Sequence, residues 1–179
     1  MRIIAGSFGG RLINAGDAQH IRPTTDRVRE AMFNSLFSLG AIADAQVVDL
    51  FAGSGALGIE ALSRGASHAV FVENDLPALT VLRENIRSLG LDNQATVVRS
   101  DACTYLAQAP HYDLALLDPP YSFAGWPSLL ADVRESIVAI ESNRVIELPD
   151  SWHTHRVRRY GSTVVTLAFA LGATETNSS

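Results

Sequence analysis

From Gln46 onward, short apolar runs alternate with segments of helical period, and this alternation constrains the fold more than any other feature of the chain. Residues 47–51 form an apolar run that ends in glycines, and residues 56–64 continue at helical spacing with Gly65 as a C-cap. Runs at 68–73, 95–99, 112–118 and 144–148 predict further strands. Between them, residues 77–89 (stopped by Gly90), 101–109 and 127–140 predict helices. Two final runs, about 155–160 and 163–169, flank Gly161-Ser162, a hairpin signal. Strands alternating with helices predict an α/β fold with a doubly wound, Rossmann-like parallel sheet. The closing hairpin adds at least one antiparallel strand at an edge. In such sheets ligands bind beyond the carboxyl ends of the strands. The residues just after each strand therefore carry the functional reading.

Ahead of this region, residues 2–5 and 11–14 read as two extended segments joined by the Gly-rich stretch 6–10, a β-hairpin standing apart from the rest of the chain. A Thr or Asp cap within Thr24-Thr25-Asp26 then opens a helix with Val28, Met32, Phe33, Leu36 and Phe37 on one apolar face, ended by Gly40. The expected division is an extension over 1–40, a ligand-binding domain over 41–171 and a disordered tail over 172–179. With 47% hydrophobic and 18% charged residues the chain has ample material for a core. One cysteine excludes a disulfide framework and a multi-cysteine metal site. No apolar stretch approaches the roughly 20 residues of a membrane span, and the N-terminus lacks an apolar run of signal-peptide length. A cytoplasmic monomer is expected.

The net charge of −5 does not by itself suggest a nucleic-acid partner, but its distribution does. All basic residues are Arg. Arg2, Arg11, Arg22, Arg27 and Arg29 outweigh Asp17, Asp26 and Glu30, so residues 1–40 are basic and the rest is acidic. A basic arm on an acidic body suits a polyanion, or is an ordinary solvated surface.

After the first strand comes Asp49-Leu50-Phe51-Ala52-Gly53-Ser54-Gly55-Ala56-Leu57-Gly58. The spacing Gly53-x-Gly55-x-x-Gly58 matches the dinucleotide fingerprint, and Glu73, with Asn74 next to it, stands at the distance of a ribose-binding carboxylate. NAD-type dinucleotides and S-adenosylmethionine both fit these residues. Asp49 shifts the balance, because a carboxylate repels a pyrophosphate and attracts the cationic sulfonium or amino group of S-adenosylmethionine. After the third strand, Asp101 and Ala102 suit an adenine edge, with Asp101 equally placed to cap the next helix.

The fourth strand ends in Asp118-Pro119-Pro120-Tyr121. Two prolines hold the backbone extended, fixing the direction of their carbonyls and of the Asp carboxylate. An exocyclic amine is a poor nucleophile because its lone pair is delocalised into the base. Acceptors that hold its two hydrogens, here Asp118 and the Pro119 carbonyl, free that lone pair, while Tyr121 offers a stacking ring. Catalysis of this kind is positioning plus electrostatics.

The chain resembles the RsmD family of bacterial 16S ribosomal RNA guanine-N2 methyltransferases, within the class I S-adenosylmethionine-dependent methyltransferases. The segments 2–6 and 22–34 resemble its N-terminal signature, and 49–61 and 118–121 its cofactor and catalytic motifs; the similarity runs to about Phe169. The resemblance implies a seven-stranded sheet with the last strand antiparallel, plus an N-terminal hairpin. It implies methylation of guanine N2 in 16S rRNA or a partly assembled small subunit, with S-adenosylhomocysteine as product. Arg11, Arg22, Arg27 and Arg29 are then expected on phosphates or splayed bases, where guanidinium both pairs and stacks. The rival readings are a DNA adenine-N6 or cytosine-N4 methyltransferase, an NAD-dependent oxidoreductase, and a non-catalytic ribosome-assembly factor.

Other residues carry weaker signals. Cys103 reads as a core residue, and His153 and His155 have no matching partners for a metal, so none is expected. Arg156, Arg158 and Arg159 form either a second phosphate-binding patch or a solvated strand face.

Overall fold

The structure is a computed structural model that describes residues 1–16 and 25–171. Helix α1 (Asp26–Ser38) is capped by Thr25, whose side chain accepts from the Val28 N–H. Next come β1 (Gln46–Asp49), α2 (Ala56–Ser63), β2 (His68–Glu73), α3 (Leu76–Leu89), β3 (Ala95–Arg99), α4 (Ala102–Leu106) and β4 (Leu114–Leu117). The chain closes with α5 (Trp126–Asp132), β5 (Ile137–Ser142), β6 (Trp152–Tyr160) and β7 (Thr163–Ala170).

The seven strands form one sheet in the order β3-β2-β1-β4-β5-β7-β6. β1 to β5 are mutually parallel, and β7 pairs antiparallel with both β5 and β6. Only β7 is therefore reversed, inserted one place from the edge. The seven-stranded, doubly wound fold with its last strand antiparallel is the fold expected, except that the reversed strand of the closing hairpin lies one place inside the edge expected for it, because β7 returns between β5 and β6. Strand order reverses beside β1, where the chain passes outward to β2 and β3 on one side and to β4 on the other; this is the position at which such sheets hold ligands.

Two apolar layers cover the sheet. On one face, α1, α2 and α3 bury Phe33, Leu36, Ile59, Leu79 and Leu82 against Val47, Phe71 and Leu116. On the other, α4 and α5 bury Leu106, Trp126 and Leu129 against Val48, Val72 and Leu117. At about 25 cal/mol per Å² of buried apolar area, these two layers supply the main favourable contribution to folding. No helix among the described residues is long and apolar enough to cross a membrane.

Three expectations need correction. The helix predicted over 127–140 ends at Asp132, and the fifth parallel strand is Ile137–Ser142, while 144–148 is irregular. Val133 already has extended backbone, and the β-branched Ile137, Val138 and Ile140 fill a strand covered on both faces, whose continuous apolar pattern imitates a helix. The N-terminal hairpin is present, with Arg2 bridged to Leu12, but it does not stand apart. Ile3 and Ile13 lie in the first core layer, and the N–H groups of Ile4 and Ala5 donate to the buried Glu60 carboxylate at 2.8 and 3.2 Å. Phe37, assigned to the apolar face of α1, is exposed; Arg29 is buried on that helix instead. The tail 172–179 lies outside the described residues.

Candidate active site

Four carboxylates fan across the carboxyl edge of the sheet. Asp49 ends β1 and pairs in register with Phe71 and Leu116; Glu73 and Asp118 each lie two residues beyond those partners. Two residues of strand are about 6.6 Å. Asp101 stands the same step beyond Arg99, the register partner of Glu73. The sheet thus brings together Asp49, Glu73, Asp101 and Asp118, which lie far apart in sequence.

Asp49 is fully buried. Its Oδ2 accepts from the Gly58 N–H at 2.9 Å, inside the first turns of α2, and its Oδ1 has no hydrogen-bond partner among the described residues. Burial pushes its pKa up to about 7; the nearby Asp118 and Glu73 carboxylates push the same way, against the amide dipoles of Gly58 and Phe51. An uncompensated buried carboxylate oxygen is costly, and a cation placed beside it removes the cost.

Glu73 holds the glycine turn from the next strand. Its Oε2 accepts from the Gly53 N–H at 2.8 Å, and its Oε1 from the N–H groups of Asn74 and Asp75 at the same distance. Gly53 has φ +53°, and a Cβ there would meet nothing within 4 Å; the turn faces open space. Gly58 is different: a Cβ would stand 2.3 Å from the Phe71 ring, so this glycine seats α2 on the sheet. Gly55, also at positive φ, is closed in by Leu82 and Ile59. Ser54 accepts through its carbonyl from Asn85 Nδ2 at 2.8 Å. Asp101 caps α4 by accepting from the Thr104 N–H at 3.1 Å, and Ala102 behind it is buried. Asp101 thus fills the capping role that its sequence position allowed.

Beyond β4, Asp118 is half-buried, Pro119 buried, and Pro120 and Tyr121 reach solvent. The Phe123 N–H donates to the Pro120 carbonyl at 2.7 Å, closing a turn. Tyr121 Oη and Thr163 Oγ1 are 2.9 Å apart, so the first residue of β7 orients the ring. Phe51, Phe123 and Trp126 pack edge to face at 5.2 and 5.4 Å between centroids, lining one side of this region.

The arginines separate into different roles. Arg11 is exposed; its guanidinium donates to the Ser88 carbonyl at 2.9 Å and lies over the Phe8 ring. Arg27 is exposed on the first turn of α1, and Arg22 lies outside the described residues. Arg29, expected to contact RNA, is only 1% exposed, which corrects that expectation. It donates to the Arg2 carbonyl, to Met1 Sδ at 2.7 Å and to Asp26 at 3.1 Å, with Glu60 at 4.0 Å. Burial draws its pKa down and the carboxylates of Glu60 and Asp26 hold it up. Its work is to fasten the N-terminal segment to α1.

Sequence reasoning missed Asn85, Glu60 and Thr163. Asn85 occupies the buried face of α3 and bonds both Asn14 and Ser54; Glu60 gathers Ile4, Ala5 and Arg64. A polar residue at a core position of the amphipathic α3, and a lone carboxylate within the apolar α2, were the available signals for the first two. Thr163 carried none.

The sheet order with a single reversed strand, the glycine turn after β1 and the Asp-Pro-Pro-Tyr turn after β4 define a Rossmann-like methyltransferase. Over residues 1–169 the sequence matches the family described as conserved hypothetical protein 95, and the chain belongs to this, the RsmD family. It is 40% identical over 178 residues to ribosomal RNA small subunit methyltransferase D of Escherichia coli K12, covering 90% of this chain and 85% of that protein. Among solved structures, the putative methyltransferase yhhF of Escherichia coli superposes with a TM-score of 0.83 at 35% identity, covering 95% and 97% of the two chains. A hypothetical protein of Thermus thermophilus, TTHA0928, gives a TM-score of 0.79 at 32% identity, covering 93% and 98%.

Proposed function

We propose that the chain transfers a methyl group from S-adenosylmethionine to the exocyclic N2 amine of a guanine in 16S ribosomal RNA of the small subunit. The observation that carries this reading is the pairing at the ends of β1 and β4: buried Asp49, with an unpartnered oxygen, one strand away from Asp118-Pro119-Pro120-Tyr121. Family membership supports it, since the Escherichia coli relative is named for small-subunit rRNA methylation.

The residues fit the cofactor on two observations, the unpartnered Asp49 Oδ1 and the open space over Gly53. Asp49 would face its cationic end, Phe51, Gly53, Ser54 and Gly55 its length, Glu73 and Asn74 the ribose, and Asp101 and Ala102 the adenine. S-adenosylmethionine, when bound, supplies a methyl group on a positively charged sulfonium, and S-adenosylhomocysteine is the product. Asp118 and the Pro119 carbonyl accept the hydrogens of the amine, drawing its lone pair out of conjugation. Pro120 fixes the turn, and Tyr121, held by Thr163, stacks on an extruded base. Asp118 then takes the proton that the amine releases. Residues 1–40 serve as the RNA-contacting extension of the domain 41–171, through Arg11, Arg27 and Arg22, in a cytoplasmic monomer.

The test is methyl transfer from labelled S-adenosylmethionine to small subunits from a strain lacking this protein, with nucleoside analysis of the product. The expected product is N2-methylguanosine. Label in methyladenosine or methylcytidine would overturn the assigned base, and no label despite cofactor binding would favour a non-catalytic assembly role.

A further inference from the structure

We infer that β6 is a second phosphate-binding surface for the RNA, flanking the base site from the side opposite the N-terminal hairpin; this rests on the RNA reading above. β6 is the edge of the sheet, and all seven residues from His153 to Arg159 are exposed. Successive strand residues point to opposite faces, so side chains on both faces of this strand reach solvent. Along it stand His153, His155, Arg156, Arg158 and Arg159 with no acidic residue, in a chain whose net charge is −5. Exposed edge strands are commonly charged to prevent strand-to-strand aggregation. Basic side chains serve that purpose on edges, and this run adds to it a position beside the candidate active site. A run of arginine alone selects an anion, and arginine pairs bidentately with phosphate.

The register aims this run at the candidate active site. β6 runs parallel to β4 and β5, so Arg158 and Arg159 lie toward the carboxyl edge. Next along the strand, Tyr160 pairs with Thr163, whose hydroxyl holds Tyr121 at 2.9 Å. Arg156 and Arg158 stand opposite Leu167 and Val165, which belong to the core layer under α1. They therefore project on the α1 face, and Arg156 donates to Ser35 of α1 at 3.2 Å. The first turn of α1 lies toward the same edge: Arg64, just past the far end of α2, donates to Asn34 late in α1 at 3.0 Å, while Arg29 near the start of α1 faces Glu60, one turn nearer the start of α2, at 4.0 Å. Exposed Arg27 on that turn and Arg158 on β6 thus share the α1 face at this edge, Arg159 projects from the other face of the same strand, and an RNA backbone delivering a base to Asp118 and Tyr121 passes along this end of β6.

The experiment measures binding of labelled 16S rRNA transcript to the full chain across a salt series, with Arg158→Gln/Arg159→Gln as the variant. A matched charge control is Arg83→Gln/Arg134→Gln, on α3 and ahead of β5. Each lost phosphate contact lowers the slope of log affinity against log salt by about 0.7–0.9. The expected result is an affinity loss of about tenfold with a slope lower by one to two, the control unchanged, and S-adenosylhomocysteine affinity and melting temperature unchanged. Wild-type affinity and slope in the β6 variant would overturn the surface, leaving the RNA reading intact. Equal losses in the control would overturn it too, reducing the effect to net charge. Absence of salt-dependent RNA binding by the wild-type chain would overturn the RNA reading itself and this surface with it.

Discussion

Asn85 grips Asn14 by both ends of its amide. Its Oδ1 accepts from the Asn14 N–H and its Nδ2 donates to the Asn14 carbonyl, each at 2.8 Å. The second Nδ2 hydrogen goes to the Ser54 carbonyl at 2.8 Å. One buried side chain therefore ties the end of the N-terminal hairpin to the glycine turn proposed to hold the cofactor.

Replacing it exposes what that tie does. Asn85→Ala strands the Asn14 and Ser54 groups, at a cost of about 1–3 kcal/mol for buried polar groups left unpaired. Urea denaturation should show that loss, and calorimetric titration should show weakened S-adenosylhomocysteine binding. Unchanged cofactor affinity in the destabilised variant would separate the clamp from the glycine turn.

The raised pKa of Asp49 gives two pH dependences. Its native pKa is about 7 against 3.8 unfolded, so the native state binds the extra proton between those values. Stability conferred on the protonated form is complete below about pH 4 and is lost as pH rises to 7, by roughly 4 kcal/mol from this group. Asp49→Asn should flatten that fall in a pH series of melts. Binding of a cationic cofactor needs the ionised form and runs the other way. Affinity for S-adenosylmethionine should rise about tenfold from pH 6 to pH 8, and a flat profile in the wild type would refute the placement of Asp49 beside the cation.

Much of this site was legible because the sheet places it by rule. A parallel sheet puts the residue after each strand on one edge, so Asp49, Glu73, Asp101 and Asp118 assemble once the strands are recognised. β5 was shifted because nothing in Arg134-Glu135-Ser136 carries the Gly or Pro that stops a helix, and a fully buried strand has no alternation to betray it. Arg29 and Asn85 were illegible for another reason. Their partners, Glu60 and Asn14, lie 31 and 71 residues away, and composition does not tell a buried arginine from a solvated one.

The glycines of the fingerprint divide by mechanism. Gly58→Ala drives a Cβ to 2.3 Å from the Phe71 ring, so it should destabilise the fold by about 1–3 kcal/mol through overpacking. Gly53→Ala meets no atom within 4 Å but carries φ +53°, a strain of about 1–2 kcal/mol. Its methyl enters the open space proposed for the cofactor, so cofactor affinity should fall more than stability does. Parallel melts and titrations of the two variants check this, and equal effects on both properties would remove Gly53 from the cofactor turn.

The arginines should behave as two kinds. Arg29→Met removes a buried cation that faces Glu60 and Asp26, at a cost of about 3–5 kcal/mol. Arg11→Gln/Arg27→Gln alters exposed groups and should leave the melting temperature within a few degrees while weakening RNA binding and its salt slope. Denaturation and RNA titration of both proteins decide the matter. Loss of RNA affinity in Arg29→Met without loss of stability would contradict the buried, fastening role.

Asp118→Asn tests the chemistry with little change of shape. It replaces one acceptor oxygen by an N–H donor, so the variant opposes the hydrogens of the amine it should hold. Removing one preorganised electrostatic partner of a reacting group typically costs about a hundred- to a thousandfold in turnover, the loss expected here with RNA and cofactor binding retained. A second effect distinguishes this role from general damage. The Asp118 charge helps to hold the Asp49 pKa up, so its neutralisation lets that pKa fall. The midpoint of the pH dependence of cofactor binding should therefore move below 7 in Asp118→Asn. Lost turnover with an unmoved midpoint would place the two carboxylates in separate sites and break the link between β1 and β4 on which the proposed function stands.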